Sequence, residues 1–361
     1  MTTYDELLKT AGPVALTIKE YLEPIHGPNA VLFPATFAPP EDKKDDPPNY
    51  VIDPVDGKAP GQKENIALID SVGSQANRIE PIFKREPFCK LVPSGTVRVG
   101  ERTINLLDAG HRAADAVVRF SDKELIFRKA FEALRDRGDS WELAKLSPTS
   151  LVFGAWDSRG TKVKLPRIVG SVIRAYDVQK LHRSAQYFSV LEKEETEKFG
   201  LDQKFLSGEG LSDSPSGVGP GGVIARGGVI RETTLNLIVI RSLMGADEQK
   251  TAQLQNYILG LSLVALLAPA DLFLREGCLL IRAEHKKPEF KAVYRDGKRT
   301  DFPTDEEKAL AFAENAASEF GVGENFTATF EGERVKAASE KKKATAADKK
   351  NKGTATPKEP R

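Results

Sequence analysis

From Asp247 to Leu267 the apolar side chains Leu254, Ile258, Leu261 and Val264 recur at helical spacing, and the run Tyr257–Ala268 is apolar almost throughout. A helix this apolar has to be buried on most sides. At about twelve residues the run is too short to cross a bilayer, so the chain must build a core around it. Thr233–Ile240, rich in β-branched residues, reads as a strand entering that core, and Leu272–Ala283 as a central strand leaving it. Elsewhere helix and strand signals alternate irregularly, with hairpins. That order indicates an α+β fold and not a doubly wound parallel sheet. It is compatible with a β-α-β-β-α-β, ferredoxin-like core that carries long insertions.

The remaining elements follow from local chemistry. Thr3 with Glu6, Ser121 with Glu124 and Thr304 with Glu307 have the spacing of helix-capping pairs. Val31–Phe37 and Ser150–Trp156 read as strands, the latter closed by an Asp157–Gly160 turn, and Asp108–Phe120 as a helix. Ile168–Tyr176 is β-rich and continues as an extended arm to Phe188. Asp296-Gly297 marks a hairpin within Glu289–Phe302, and Phe326–Phe330 a last edge strand. The expected organisation is one domain over residues 1–335. Within it, 39–63 is an exposed loop rich in Pro, Asp and Lys, and 187–230 a projecting insertion. Residues 336–361 are expected to be a disordered Lys-rich tail.

Charge narrows the function. The net charge is +1, but Lys336–Arg361 holds nine basic and three acidic residues, a net of +6, which leaves −5 on residues 1–335. A globally basic nucleic-acid binder is excluded, so any such site is a local stripe. One exists: Arg159 to Arg183 has seven basic residues against one acidic, Asp177. Its members Lys162, Lys164, Arg167, Arg174, Lys180, His182 and Arg183 suit phosphates, and Tyr176 shares a strand face with Arg174 and can stack on a base. Arg226 and Arg231 flank a glycine-rich segment with Gly217, Gly219, Gly221 and Gly222. This segment matches the dinucleotide fingerprint in letters only, because no strand precedes it and no helix follows. It reads as a loop whose bare amides can approach a nucleic-acid backbone. The two cysteines and four histidines have no metal-site spacing, so no metal and no cofactor is expected, and a reducing cytoplasm is the expected compartment.

The most informative segment is Asp70–Glu80. Its pattern is helical, with Ile66, Ile69, Val72, Ala76, Ile79 and Phe83 three to four apart, and its polar face carries Ser71, Ser74, Gln75, Asn77 and Arg78. These are short hydroxyl and amide groups plus one guanidinium, which fit phosphate and sugar oxygens better than the usual Lys/Glu surface does. Ser74-Gln75-Ala76-Asn77-Arg78 resembles the Ser-Gln-x-x-basic helix of the RAMP backbone subunits (the Cas-seven group) of CRISPR effector complexes. Ile66–Glu80 as a whole looks like the type I-G, formerly I-U, branch. Asn105–Asp115, Arg167–Arg174, Gly221–Gly228 with Thr234–Leu237, and Asp271–Leu280 look like the same branch in the same order.

The resemblance implies a modified RNA-recognition-motif core with a thumb-like insertion, and nucleic-acid contact near His111 and Arg112. It also implies a non-catalytic subunit of a surveillance complex in antiviral defence. Such a subunit binds crRNA, supports target DNA recognition, polymerises with copies of itself and joins other effector subunits, with no membrane role. Two rival readings stand beside it. One is a metal-dependent RNA endonuclease with Asp70 or Asp108 as metal ligand; the other is a protein-only filament subunit.

Overall fold

Strand β1 (Ala15–Pro24) organises the molecule, because its inward and outward residues alternate without a break along all ten positions. Leu16, Ile18, Glu20 and Leu22 face the core. The computed structural model describes residues 4–44, 48–55, 64–184, 186–215, 219–269 and 271–340. Seven further strands position the site: β2 (Asn65–Asp70), β3 (Val169–Tyr176), β4 (Val178–Arg183), β5 (Gly219–Ala225), β6 (Val229–Asn236), β7 (Cys278–Arg282) and β8 (Glu289–Val293). Four helices accompany them: α1 (Val72–Ile79), α2 (Glu124–Arg137), α3 (Glu248–Leu267) and α4 (Glu306–Phe320).

β1 pairs antiparallel with β6 from Ala15↔Asn236 to Leu22↔Val229, and on its other edge with β8 and then β7. β6 pairs antiparallel with β3, and β3 with β2. Taking β1, β3, β6 and β8 as the first to fourth core strands, the spatial order is fourth, first, third, second. That is the ferredoxin-like arrangement, with β2 and a short strand Ile52–Pro54 added beyond the second strand. The fold is therefore α+β, as expected.

α3 is the buried helix its sequence requires. Its Leu254, Ile258, Leu259, Leu261 and Leu263 have no exposed surface. Each such burial contributes about 1.5–3 kcal/mol. α4 crosses it closely at Gly260, where a Cβ would lie 2.8 Å from the Ala313 backbone. Tyr257 stacks on Phe320 at 4.4 Å, and its hydroxyl donates to the Leu91 carbonyl at 2.8 Å, so its buried polar atom is satisfied.

Several local expectations differ. Thr149–Phe153 is a helical turn and not a strand, because a short apolar run does not distinguish the two. Asp108–Phe120 breaks into short turns around Arg112, whose φ is +53°. Ile66 and Ile69 lie in β2, so the helix begins only at Val72. Of Val31–Phe37, only Thr36–Phe37 is strand. The strand from Thr233 ends at Asn236, whose side chain caps a helical turn over Leu237–Arg241. Leu272–Ala283 folds back as a hairpin at Gly277.

The segment 39–63 is not wholly a solvated loop. Tyr50 is buried in the core, and Ile52–Pro54 pairs with β2. Residues 332–340 are helical, so the first five positions of the expected tail belong to a helix. Thr3, Gly217 and residues 341–361 lie outside the described residues.

Candidate nucleic-acid interface

Asp70, at the end of β2, decides what the α1 helix can do. Its carboxylate is 1% exposed and accepts four hydrogen bonds: Ser74 Oγ at 2.9 Å, Gln75 Nε2 at 2.7 Å, Arg78 Nε at 3.1 Å and Arg275 Nη2 at 2.9 Å. Ser71 caps α1, its Oγ accepting from the Ser74 amide at 3.2 Å. Arg78 also donates to the carbonyls of Phe273 and Leu274, which ties α1 to the Phe273–Arg282 hairpin. Ser74, Gln75 and Arg78 thus spend donors on Asp70, because a buried carboxylate beside them needs every donor within reach, although only Gln75 is itself buried and Arg78 stays exposed.

The network continues beneath the sheet. Gln75 Oε1 accepts from Ser171 Oγ at 3.1 Å, and Ser171 accepts from Arg231 Nε at 3.1 Å and Thr233 Oγ1 at 2.9 Å. Arg231 pairs with Glu20 at 3.2 Å, and Glu20 with Arg282 at 2.9 Å. Glu20 and Arg231 are direct cross-strand partners in the β1–β6 register. Burial lowers the pKa of Arg231, an effect Glu20 opposes. This polar seam lies between two apolar clusters, one around Leu16, Ile18 and α3, the other around Leu22, Ile69 and Leu280. Arg231 and Gln75 are therefore internal supports, without the exposure a phosphate contact needs.

Arg112 is a second internal cation, 3% exposed. It donates to Glu80 at 2.7 Å, to the Gly154 carbonyl at 3.1 Å and to Asn77 Oδ1 at 3.3 Å. Burial pushes the Glu80 carboxyl up from 4.5 to about 7, against the pull of Arg112. Burial lowers the Arg112 pKa, and the neighbouring charge of Arg167 adds to this.

What Arg112 anchors is an exposed surface. Asn77, His111, Lys162, Lys164 and Arg167 all face solvent. The Arg167 side chain runs over Gly154 and reaches Gly73 in the first turn of α1, where a Cβ would sit 3.8 Å from Nη2. A free guanidinium beside the amide end of a helix is a combination that attracts phosphate oxygens. The structure thus brings Asn77 and Arg167 together, with Arg112 behind them, and the Lys162–Lys164 hairpin springs from the Gly154 segment that Arg167 covers.

The other predicted residues lie elsewhere. Arg174 and Tyr176 do share a face, but it is the opposite face of the sheet from Ser171 and α1. There Arg174 pairs with Glu232 at 3.4 Å, and burial raises the Tyr176 pKa, with Glu232 adding to it.

β4 and β5 pair with each other outside the main sheet, as an arm that follows a turn at Asp177 (φ +49°). His182 and Arg183 are exposed on it. Lys180 donates to Asn49 at 2.8 Å and Arg226 to Gln179 at 2.8 Å. Gly219, Gly221 and Gly222 are not a free loop. They form strand β5 with a bulge between Pro220 and Val223. The Gly222 amide donates to Tyr50 Oη at 2.9 Å, and a Cβ at Gly221 would meet the His182 backbone at 2.4 Å. These glycines serve close chain packing, which leaves no open amide cradle. The arm tip carries two short helices, Lys193–Glu197 and Gln203–Gly208, and exposes Phe188, Val190, Phe199, Leu201 and Phe205.

Residues 16–180 match the family model of CRISPR-associated protein GSU0053. That stretch is 165 of the 361 residues and holds β1, β2, α1, the Lys162–Lys164 hairpin, β3 and the root of the arm. The match bears out the CRISPR association implied by the sequence and supports a role in CRISPR defence. None of the curated proteins compared with the chain matches it. Among the described residues, no helix is long and apolar enough to cross a membrane.

Sequence reasoning missed Arg275, Glu20 and Arg282. Arg275 and Arg282 pair across long sequence distances, and nothing local marks that. Glu20 had a signal: a lone acid on the inward phase of an otherwise apolar alternation.

Proposed function

We propose that the chain is a non-catalytic, guide-RNA-binding backbone subunit of a type I-G CRISPR surveillance complex. The observation that carries this reading is the placement of Arg167 against the first turn of α1, with Asn77 exposed on that helix and Lys162 and Lys164 exposed on the hairpin that precedes Arg167, within the stretch that matches a CRISPR-associated family. These groups contact phosphates and carry no base code, so the guide is held in any sequence and base pairing reads the target DNA. Copies assemble head to tail along the guide through an open heterologous interface. The apolar arm tip, with Phe188 and Val190 at 65% and 94% exposure, is suited to seat on the next copy.

The endonuclease reading is weakened by Asp70 itself. Its oxygens are taken by four protein donors, two of them arginines, which disfavours a divalent cation. Asp108 is paired with Lys84 at 2.6 Å. The protein-only filament reading shares the arm tip but gives the exposed cations no task.

The test is to purify the protein from its own host and sequence the nucleic acid that accompanies it. Uniform small RNAs with a shared repeat-derived end are expected. RNA-free protein whose self-assembly does not respond to salt would overturn the reading in favour of the protein-only filament.

A further inference from the structure

We propose that Trp156 is a stacking platform for one base of a single-stranded RNA, placed beside the phosphate contacts of the α1 face. The proposal rests on the reading that this face binds RNA.

Trp156 is 58% exposed, unusual for a side chain that is ordinarily well buried. It is held out by a rigid hairpin. The Leu165 amide donates to the Ala155 carbonyl at 2.7 Å, and Asp157 N donates to the Val163 carbonyl at 2.9 Å. The Asp157 carboxylate accepts from the amides of Gly160 at 2.9 Å and Thr161 at 2.6 Å. A ring presented this way loses little freedom when a base stacks on it.

One cation stands at the ring and others lie in the same segment. Lys164 Nζ stands 5.6 Å from its centroid. Arg159, Lys162 and Arg167 are exposed in the same segment, and among the described residues none of the four forms an ion pair with an acidic side chain. The only carboxylate between Gly154 and Arg167 is Asp157, which is spent on its own turn. An aromatic face interleaved with unpaired cations matches a single strand, whose bases stack and whose phosphates need countercharge. The exposed neighbours in the hairpin are charged, which suits a nucleic acid better than an apolar protein contact. The hairpin springs from Gly154, whose carbonyl Arg112 holds and over which Arg167 runs, so ring and phosphate contacts share one rigid base.

The experiment measures affinity of the full chain for a labelled single-stranded RNA and for the same length of fully abasic strand, across a salt series. Trp156→Ala is expected to weaken binding of the base-bearing RNA by about 5- to 100-fold. Binding of the abasic strand should not change. Trp156→Phe should recover most of the loss, and the salt slope should stay that of wild type, since a stacked base releases no counterions. An unchanged urea midpoint checks that the exposed substitution leaves folding intact. Trp156→Ala affinity within twofold of wild type on base-bearing RNA, or an equal loss on both probes, overturns the proposal and leaves the phosphate-contact reading in place. If wild-type protein binds neither strand, both readings fall.

Discussion

Asp70→Ala is the perturbation that most directly separates a structural from a catalytic reading. The substitution leaves Ser74, Gln75, Arg78 and Arg275 without their common acceptor. Removing one partner of a buried ion pair costs about 3–5 kcal/mol when the other has nowhere to go. Here Arg78 and Arg275 keep 32% and 25% side-chain exposure and can turn toward water, so their share falls toward the value of about 1 kcal/mol for exposed pairs. Gln75, at 2% exposure, cannot turn out, and its stranded amide adds about 1–3 kcal/mol. The expected net loss is about 2–4 kcal/mol. With a denaturant slope of about 3 kcal/mol per molar, that lowers the urea midpoint by about 1 M. Asp70→Asn keeps the shape but points an amide at two guanidinium groups, so it should also destabilise. The assay is equilibrium urea unfolding followed by tryptophan fluorescence. A loss under about 0.5 kcal/mol for both variants, together with abolished RNA cleavage in Mg²⁺, would refute the hub and restore Asp70 as a metal ligand.

Three further outcomes follow from the same geometry. Glu80 holds its proton to about pH 7 in the folded protein, against 4.5 ordinarily, so its contribution is full below about 4.5, falls as pH rises through about 7 and is flat above; the stability of wild type relative to Glu80→Gln should decline from pH 5 to pH 8, and a gap that widens with pH contradicts the burial argument. Arg167→Ala should weaken binding equally for every RNA sequence and lower the salt slope by about 0.7, which fluorescence anisotropy at several salt concentrations checks; a sequence-selective loss would mean base readout. Gly222→Ala puts a Cβ 2.4 Å from Val31 at φ +96°, so it should destabilise the arm root by about 1–3 kcal/mol and speed limited proteolysis of the arm; unchanged cleavage would show that the bulge relaxes freely.

The parts of the fold that were legible in the sequence are those where one interaction dominates a window. α3 declares itself because its apolar residues outnumber every competing signal. The Asp296-Gly297 turn does so because few other residue pairs suit that geometry, and the hairpin duly pairs Lys291 with Asp301. Ser150–Trp156 and Asp108–Phe120 differ from expectation because their conformation is set from outside the window. In the second case Arg112 adopts a positive φ held by Glu80, Asn77 and Gly154, all distant in sequence. The candidate site shows the same division. Asn77, Lys162, Lys164 and Arg167 are singled out by residue type and local charge, and all four are exposed. That Ser74 and Gln75 belong to Asp70 is a matter of which donor reaches which oxygen, and spacing alone is silent on it.

The polar seam raises a question of energetics, since buried ion pairs seldom stabilise a protein more than apolar residues of the same volume would. Glu20, Arg231, Ser171, Gln75 and Asp70 occupy positions that leucine and methionine could fill. What an apolar replacement could not supply is direction. Each member bonds a specific atom on the next element, from Arg282 on β7 through β1, β6 and β3 to α1, and on to Arg275 in the Phe273–Arg282 hairpin. An apolar seam would allow α1 to slide or rotate by a fraction of a turn at little cost. The hydrogen-bonded one permits a single register. That register turns Asn77 outward and sets the first turn of α1 under Arg167. The residues given up to the interior therefore aim the few that remain outside. On the proposed backbone reading, in which this surface repeats in every copy along a strand, such aim is worth more than the stability it costs.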